Sequence, residues 1–240
     1  MSSVYQNIIK SITNGDKLLA VLIDPDKVQL NQLKRSIGKI NASQATHIFV
    51  GGSLVEDNKT DLVVIEIKQH SNLPVILFPG DVTQISQSAN ALLFLSLISG
   101  HNPDYLIGKH VEAVKNLRGS KLEIIPTGYI LIENGNETAV QRVTGTMPIM
   151  RSNIQKITDT AKAGELLGLK LIYLEAGSGA IHPIPMEIIK AVKQDLKVPV
   201  IVGGGIKSKS QLDSAYQAGG DMVVIGTAFE EDEDVFNTFK

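Results

Sequence analysis

The chain has no cysteine, which removes disulfide frameworks, thiolate metal sites and thiol nucleophiles together. The same absence fits a reducing cytoplasm. Basic residues are not in excess: 23 Lys and Arg stand against 25 Asp and Glu, for a formal net charge of -2. With no basic field to draw in a phosphodiester backbone or an anionic bilayer, nucleic acid is excluded as a partner. No apolar run approaches the roughly 18 residues of a membrane span, and the opening MSSVYQNIIKSITNGDK carries no signal-peptide hydrophobic region. These readings predict a soluble, cytoplasmic protein without stable membrane insertion. Ser/Gly-rich linkers, charge blocks and low-complexity tracts are missing too, so nothing divides residues 1–240 into more than one domain.

What remains is a chain that is 43% hydrophobic and 20% charged over 240 residues, a size and composition suited to one closed α/β barrel of about 250 residues. Short β-branched apolar runs recur, each followed by a longer stretch of helical period. They predict strands at Leu18–Asp24, His47–Gly52, Pro74–Pro79, Ala91–Ile98, Leu122–Ile130, Leu171–Ala176, Pro199–Gly203 and Met222–Gly226. The runs are apolar on consecutive positions, as parallel strands covered on both faces require. Amphipathic segments at Val28–Ile40, Leu62–His70, Asn153–Leu167, Met186–Asp195 and Lys209–Ala218 supply crossovers, and the acidic Glu230–Asp234 run reads as the exposed start of a last helix. The predicted fold is a modified (β/α)₈ TIM barrel. Its third helical layer is irregular, because residues 76–89 leave little room for a helix, and the long, turn-rich Glu133–Arg151 segment after strand five is a candidate lid.

In such a barrel the catalytic groups stand where strands end. Those ends read Asp24-Pro25-Asp26-Lys27, Gly51-Gly52-Ser53, Pro79-Gly80-Asp81, Glu175-Ala176-Gly177-Ser178-Gly179, Gly203-Gly204-Gly205 and Gly226-Thr227. Glycines after strands seven and eight allow several N–H groups to converge on one anion, so a phosphate is the expected guest, although any tight βα turn also uses glycine. Asp24 reads either as a helix N-cap or as a ligand of Mg²⁺, with Ser53 supplying a second oxygen and substrate phosphates completing the shell. Glu175 closes an apolar run and opens a Gly-Ser-Gly turn, and it reads either as a rim carboxylate that hydrogen-bonds a hydroxyl or takes its proton, or as the partner of a lysine in a structural ion pair. The five histidines show no metal-site spacing, and no Ser-His-Asp set or Schiff-base lysine can be read. A sugar-phosphate isomerase or aldolase, with Lys27 as the only nearby lysine, and a non-catalytic phosphometabolite-binding barrel stand as rival readings.

The motifs LIDPDK (Leu22–Lys27), FVGGS (Phe49–Ser53), LFPGD (Leu77–Asp81), YLEAGSGA (Tyr173–Ala180), VGGGI (Val202–Ile206) and VIGTAF (Val224–Phe229) occur in one order over nearly the whole chain. Together they resemble the geranylgeranylglyceryl phosphate synthase family, in its branch with the longer IDPDK and EAGSGA motifs. The resemblance implies a prenyltransferase that joins geranylgeranyl diphosphate to the sn-3 hydroxyl of sn-glycerol 1-phosphate, releasing diphosphate, in ether phospholipid biosynthesis. It further implies Mg²⁺ on Asp24 and Ser53 and a glycerol cradle of Tyr173, Leu174, Glu175, Ala176, Gly177, Ser178 and Gly179. Phosphate contacts would come from Gly204, Gly205, Gly226 and Thr227, with Glu175 as the catalytic group. A homo-oligomer and an apolar trough for the prenyl tail are also implied. The low aromatic content, 5%, predicts aliphatic trough walls. Some relatives carry a lysine two residues before the metal-binding aspartate; here that position is Leu22.

Overall fold

The computed structural model describes residues 3–52, 55 and 58–226. Ser53, Thr227 and the acidic Glu230–Asp234 run lie outside the described residues. Eight parallel strands close into a barrel in sequence order: β1 (Leu18–Ile23), β2 (His47–Val50), β3 (Val75–Leu77), β4 (Ala91–Leu97), β5 (Glu123–Leu131), β6 (Leu171–Glu175), β7 (Val200–Gly203) and β8 (Met222–Ile225). Closure is the pairing of β1 with β8, Leu18 opposite Met222 and Val21 opposite Ile225. Every predicted strand is present, most of them trimmed at the rims, where backbone turns away from its neighbours.

Helices α2 (Leu30–Asn41), α3 (Lys59–His70), α4 (Lys109–Leu117), α6 (Ile154–Leu166), α7 (Met186–Asp195) and α8 (Lys209–Gln217) cover the outside, and α5 (Ala139–Thr144) lies in the segment after β5. A first helix, α1 (Val4–Thr13), was not among the predicted segments. Its Ile8 is buried with interior strand residues such as Leu18 and Ala20, and the Glu123 carboxylate at the start of β5 accepts from the Val4 and Tyr5 N–H groups. The helix therefore plugs the end of the barrel where strands begin, with a carboxylate on its otherwise unmatched N-terminal amides.

Side chains alternate across each strand. Leu171 and Tyr173 of β6 point into the barrel, where they pack with Phe49, Ile76, Leu93 and Tyr129. Ile172 and Leu174 point out to the helix layer, among Ile157, Ile188 and Val192. Between β3 and β4 the helix layer is interrupted, as residues 76–89 predicted: only a 3₁₀ turn at Val82–Gln84 stands there, packed against α3 on one side and α4 on the other. That interruption leaves the outer face of β4 without the helix that a regular barrel would lay over it.

Candidate active site

The inward alternation of β6 carries Tyr173 and then Glu175 to the catalytic rim, in register with Tyr129 and Leu131 of β5 and with Ile201 and Gly203 of β7. Glu175 is only 6% exposed. Its carboxylate accepts from the Gly177 N–H at 2.5 Å and from the hydroxyls of Tyr173 and Tyr129. Burial penalises the charged form and raises its pKa from 4.5 to about 7, while the three hydrogen bonds pull the other way. Both tyrosines titrate well above their ordinary value, from burial first and then from the neighbouring carboxylate, so they stay neutral donors. No cation pairs with Glu175 among the described residues, which leaves a carboxyl poised near neutrality rather than a structural ion pair.

Glu175 lines a cavity of about 440 Å³ that combines two unlike regions. One is polar: Asp24 and Lys27 after β1, Gly177–Gly179 after β6, Gly204 and Gly205 after β7 and Gly226 after β8. Gly204 has φ +86°, and a Cβ there would stand 2.6 Å from Glu175 Oε1 and 2.7 Å from the Gly177 amide nitrogen. Only glycine lets that turn press against the carboxylate it frames. Asp24 is backed in the same manner by Gly52, whose Cβ would meet its carboxylate oxygen at 2.6 Å. Leu22 lies beside Gly226, which makes the adjoining wall aliphatic.

The other region is apolar and runs into the gap left by the missing helix. Val82 and Ile85 from that sector, Leu92 and Phe94 on the outer face of β4, and His110 and Ala113 of α4 line it. The expectation of purely aliphatic walls fails. Of six phenylalanines and five tyrosines in the chain, Phe78, Phe94, Tyr105, Tyr129 and Tyr173 face the cavity. Phe78 stacks on Tyr173 with centroids 5.1 Å apart, and Tyr129 lies 5.3 Å from Tyr173. His110 meets Phe94 edge-on at 4.3 Å, and its burial keeps the imidazole below its ordinary pKa and neutral. An overall aromatic share cannot say where rings gather.

The long segment after β5 is a roof. Ala139, Val140, Val143 and Thr144 of α5 line the cavity. The buried Asn134 amide donates to the Ala176 carbonyl, Asn102 Nδ2 donates to the Thr144 carbonyl at 2.7 Å, and Tyr105 Oη to that of Val143 at 3.3 Å. These bonds hold the predicted lid segment down over Glu175.

Of the residues expected at the site, the structure gathers Asp24, Tyr173, Glu175, Gly177, Ser178, Gly179, Gly204, Gly205 and Gly226 around the cavity. Leu174 and Ala176 are corrected: alternation along β6 turns both into the helix-side core, where each is fully buried, so neither side chain reaches the cavity. Lys27, the lysine that an aldolase reading would need, lies 3.8 Å from Asp24 as its ion partner. His182 is exposed in the loop beyond the Gly-Ser-Gly turn. Among the described residues no cluster of three or more His, Cys, Asp and Glu side chains could hold a metal ion. Sequence reading missed Tyr129, Phe78 and the Asp81–Lys109 ion pair at 2.8 Å across the cavity wall, and it expected an apolar trough without locating one.

Known proteins resemble this chain over nearly its whole length. A model of the PcrB family matches residues 12–240. The geranylgeranylglyceryl phosphate synthase of Flavobacterium johnsoniae is 53% identical over 238 residues, covering 99% of this chain and 98% of its own. That of Zunongwangia profunda is 52% identical over 233 residues, covering 97% and 99%. The crystal structure of (S)-3-O-geranylgeranylglyceryl phosphate synthase from Thermoplasma acidophilum, in complex with its substrate sn-glycerol-1-phosphate, superposes with a TM-score of 0.93 at 32% identity, covering 100% of this chain and 96% of its own.

Proposed function

The chain belongs to the PcrB family, and from that premise and the two-part cavity we propose how it carries out its reaction. It transfers the geranylgeranyl group of geranylgeranyl diphosphate to the sn-3 hydroxyl of sn-glycerol 1-phosphate, giving geranylgeranylglyceryl phosphate and diphosphate. The observation that carries the mechanism is the place of Glu175. Its buried carboxyl stands where the glycine-framed polar region meets the apolar trough, beside any hydroxyl that lies between a bound phosphate and a bound tail.

The acceptor hydroxyl is a weak nucleophile, so holding it in line with the allylic carbon supplies much of the acceleration. Tyr173, Glu175 and Gly177–Gly179 cradle the glycerol, and Gly204, Gly205, Gly226 and Thr227 hold its phosphate. Glu175 in its ionised form accepts the hydroxyl proton as the oxygen forms the new ether bond and the bond from carbon to diphosphate breaks. The electron-rich faces of Phe78, Tyr129 and Tyr173 suit the positive character that the allylic carbon gains. The roof over Glu175 keeps water from competing for that carbon.

Mg²⁺ is the ion we assign to Asp24 and Ser53. Asp24 lies on the cavity wall with backbone close behind its carboxylate. A single described carboxylate fits an ion that draws the rest of its octahedron from diphosphate and water. When bound it neutralises the charge that builds on the leaving diphosphate.

The same proposal makes the protein a cytoplasmic homo-oligomer. Ile107, Val111 and Val114 form an exposed apolar stripe on α4 and the π turn before it, the type of face that a protein partner covers. No helix among the described residues is long and apolar enough to cross a membrane. Light scattering on the eluting protein tests the oligomer. The decisive test of the reaction is incubation with Mg²⁺, geranylgeranyl diphosphate and either sn-glycerol 1-phosphate or its 3-phosphate enantiomer. Ether product from the 1-phosphate alone is the expected mass-spectrometric result; no product from either would remove the reaction.

A further inference from the structure

Four permanent cations line the cavity: Lys27, Lys109, Arg142 and Lys207. Three of them are already matched. Lys27 faces Asp24 at 3.8 Å, Lys109 is held by Asp81 at 2.8 Å and Glu112 at 3.4 Å, and Arg142 lies 3.4 Å from Glu137. Lys207 has no carboxylate partner among the described residues.

Its position is fixed at the main chain and free at the tip. The residue follows the Gly203–Gly205 turn and Ile206, and it precedes Ser208, the N-cap of α8. Its own N–H donates to Gln211 Oε1 at 2.7 Å, which ties the backbone to the first turn of α8, while the side chain is exposed. A lysine ammonium on a four-carbon stem can then swing over the turn.

The other lysine of this polar region, Lys27, is matched by Asp24. A phosphate monoester carries nearly two negative charges at neutral pH. The glycine N–H groups offer partial charges only, the neighbouring wall is Leu22 against Gly226, and the side chain that Gly204 presses against is the acid Glu175. We propose that Lys207 is the counter-charge for the phosphate of the acceptor, a binding residue that sets affinity for glycerol phosphate and takes no part in bond making. This rests on the acceptor assigned above.

The test is Lys207→Met beside Lys207→Arg, with calorimetric binding of sn-glycerol 1-phosphate and steady-state kinetics in both substrates. Because the side chain is exposed, neither change disturbs the core. Lys207→Met is expected to weaken glycerol phosphate binding and raise its KM by about tenfold, the scale of one charge-assisted hydrogen bond. Both kcat and the KM for geranylgeranyl diphosphate should stay within about twofold. Lys207→Arg should bind the acceptor as the unaltered protein does. Unchanged acceptor binding in Lys207→Met, or an equal loss for both substrates, would overturn the assignment. If the unaltered protein itself fails to bind sn-glycerol 1-phosphate, the acceptor reading falls and the role of Lys207 falls with it.

Discussion

Glu175→Gln should make the protein more stable in mild alkali while it removes most turnover. The side chain is 6% exposed, and burial raises its pKa from 4.5 to about 7. At about 1.4 kcal/mol per unit, this corresponds to a stability term on the order of 3 kcal/mol. The sign follows from proton binding. The folded state holds the proton more tightly than the unfolded chain, so the term is fully present below about pH 4.5 and is lost as pH rises through about 7. Glutamine has the same shape, keeps an oxygen for the Gly177 N–H and cannot ionise, so its contribution is independent of pH. The stability of the variant minus that of the unaltered protein should therefore grow by about 3 kcal/mol between pH 4.5 and pH 9, every other titrating group cancelling in the difference. Urea unfolding at several pH values measures it. Activity should move the opposite way in the unaltered protein: kcat/KM rises with pH through about 7 as the base form is populated. A difference that stays flat with pH, or that grows toward acid, would refute the buried-carboxyl argument; near-normal turnover in Glu175→Gln would remove the residue from the mechanism.

Asp24→Asn should abolish the Mg²⁺ dependence of diphosphate binding, followed by calorimetry with and without the ion, and an unchanged metal response would place the ion elsewhere. Ala113→Phe, at a position 3% exposed on the trough wall, should lower kcat/KM for geranylgeranyl diphosphate by at least about tenfold, on the scale of overpacking, and spare a ten-carbon donor. An equal loss for both donors would show that the tail does not run along α4. Gly204→Ala should cost about 1–2 kcal/mol from its left-handed backbone, with a further loss from the 2.6 Å approach to Glu175. It should also abolish glycerol phosphate binding, and a stable, fully binding alanine variant would contradict the geometry of that turn.

The barrel was legible because its strands are apolar on consecutive positions and bounded by Gly, Pro and charge, a pattern that survives without knowing which residue faces which way. The same feature hid the inward set. In LEIIPTGYILI nothing in residue type separates Tyr129, which donates to Glu175, from its neighbours Ile130 and Ile132 on the helix side. Glu175 stood out because a charge ending an apolar run must have a reason to be there. Leu174 and Ala176 were carried along with it, and alternation alone excludes their side chains. Helix α4 escaped for a related reason. It starts in a π turn, and its exposed Ile107, Val111 and Val114 break the division between an apolar inner and a polar outer face that marks a surface helix.

The trough is the deepest case, because it is made by something the chain omits. Residues 76–89 are too few for a helix, and that shortage was readable; what it does is not a property of those residues. In a regular barrel a helix would cover Leu92 and Phe94 on the outer face of β4. Here a 3₁₀ turn replaces it, and the vacated layer becomes the apolar region that joins the polar site at Glu175. Phosphate binding at the ends of β7 and β8 belongs to the fold at large, so the glycines there could say little about chemistry. The proposed function assigns the long hydrocarbon donor to the interruption between β3 and β4. Filling that gap from either side, through Ala113 or Phe94, should therefore alter donor length while leaving acceptor binding at the glycine turns intact.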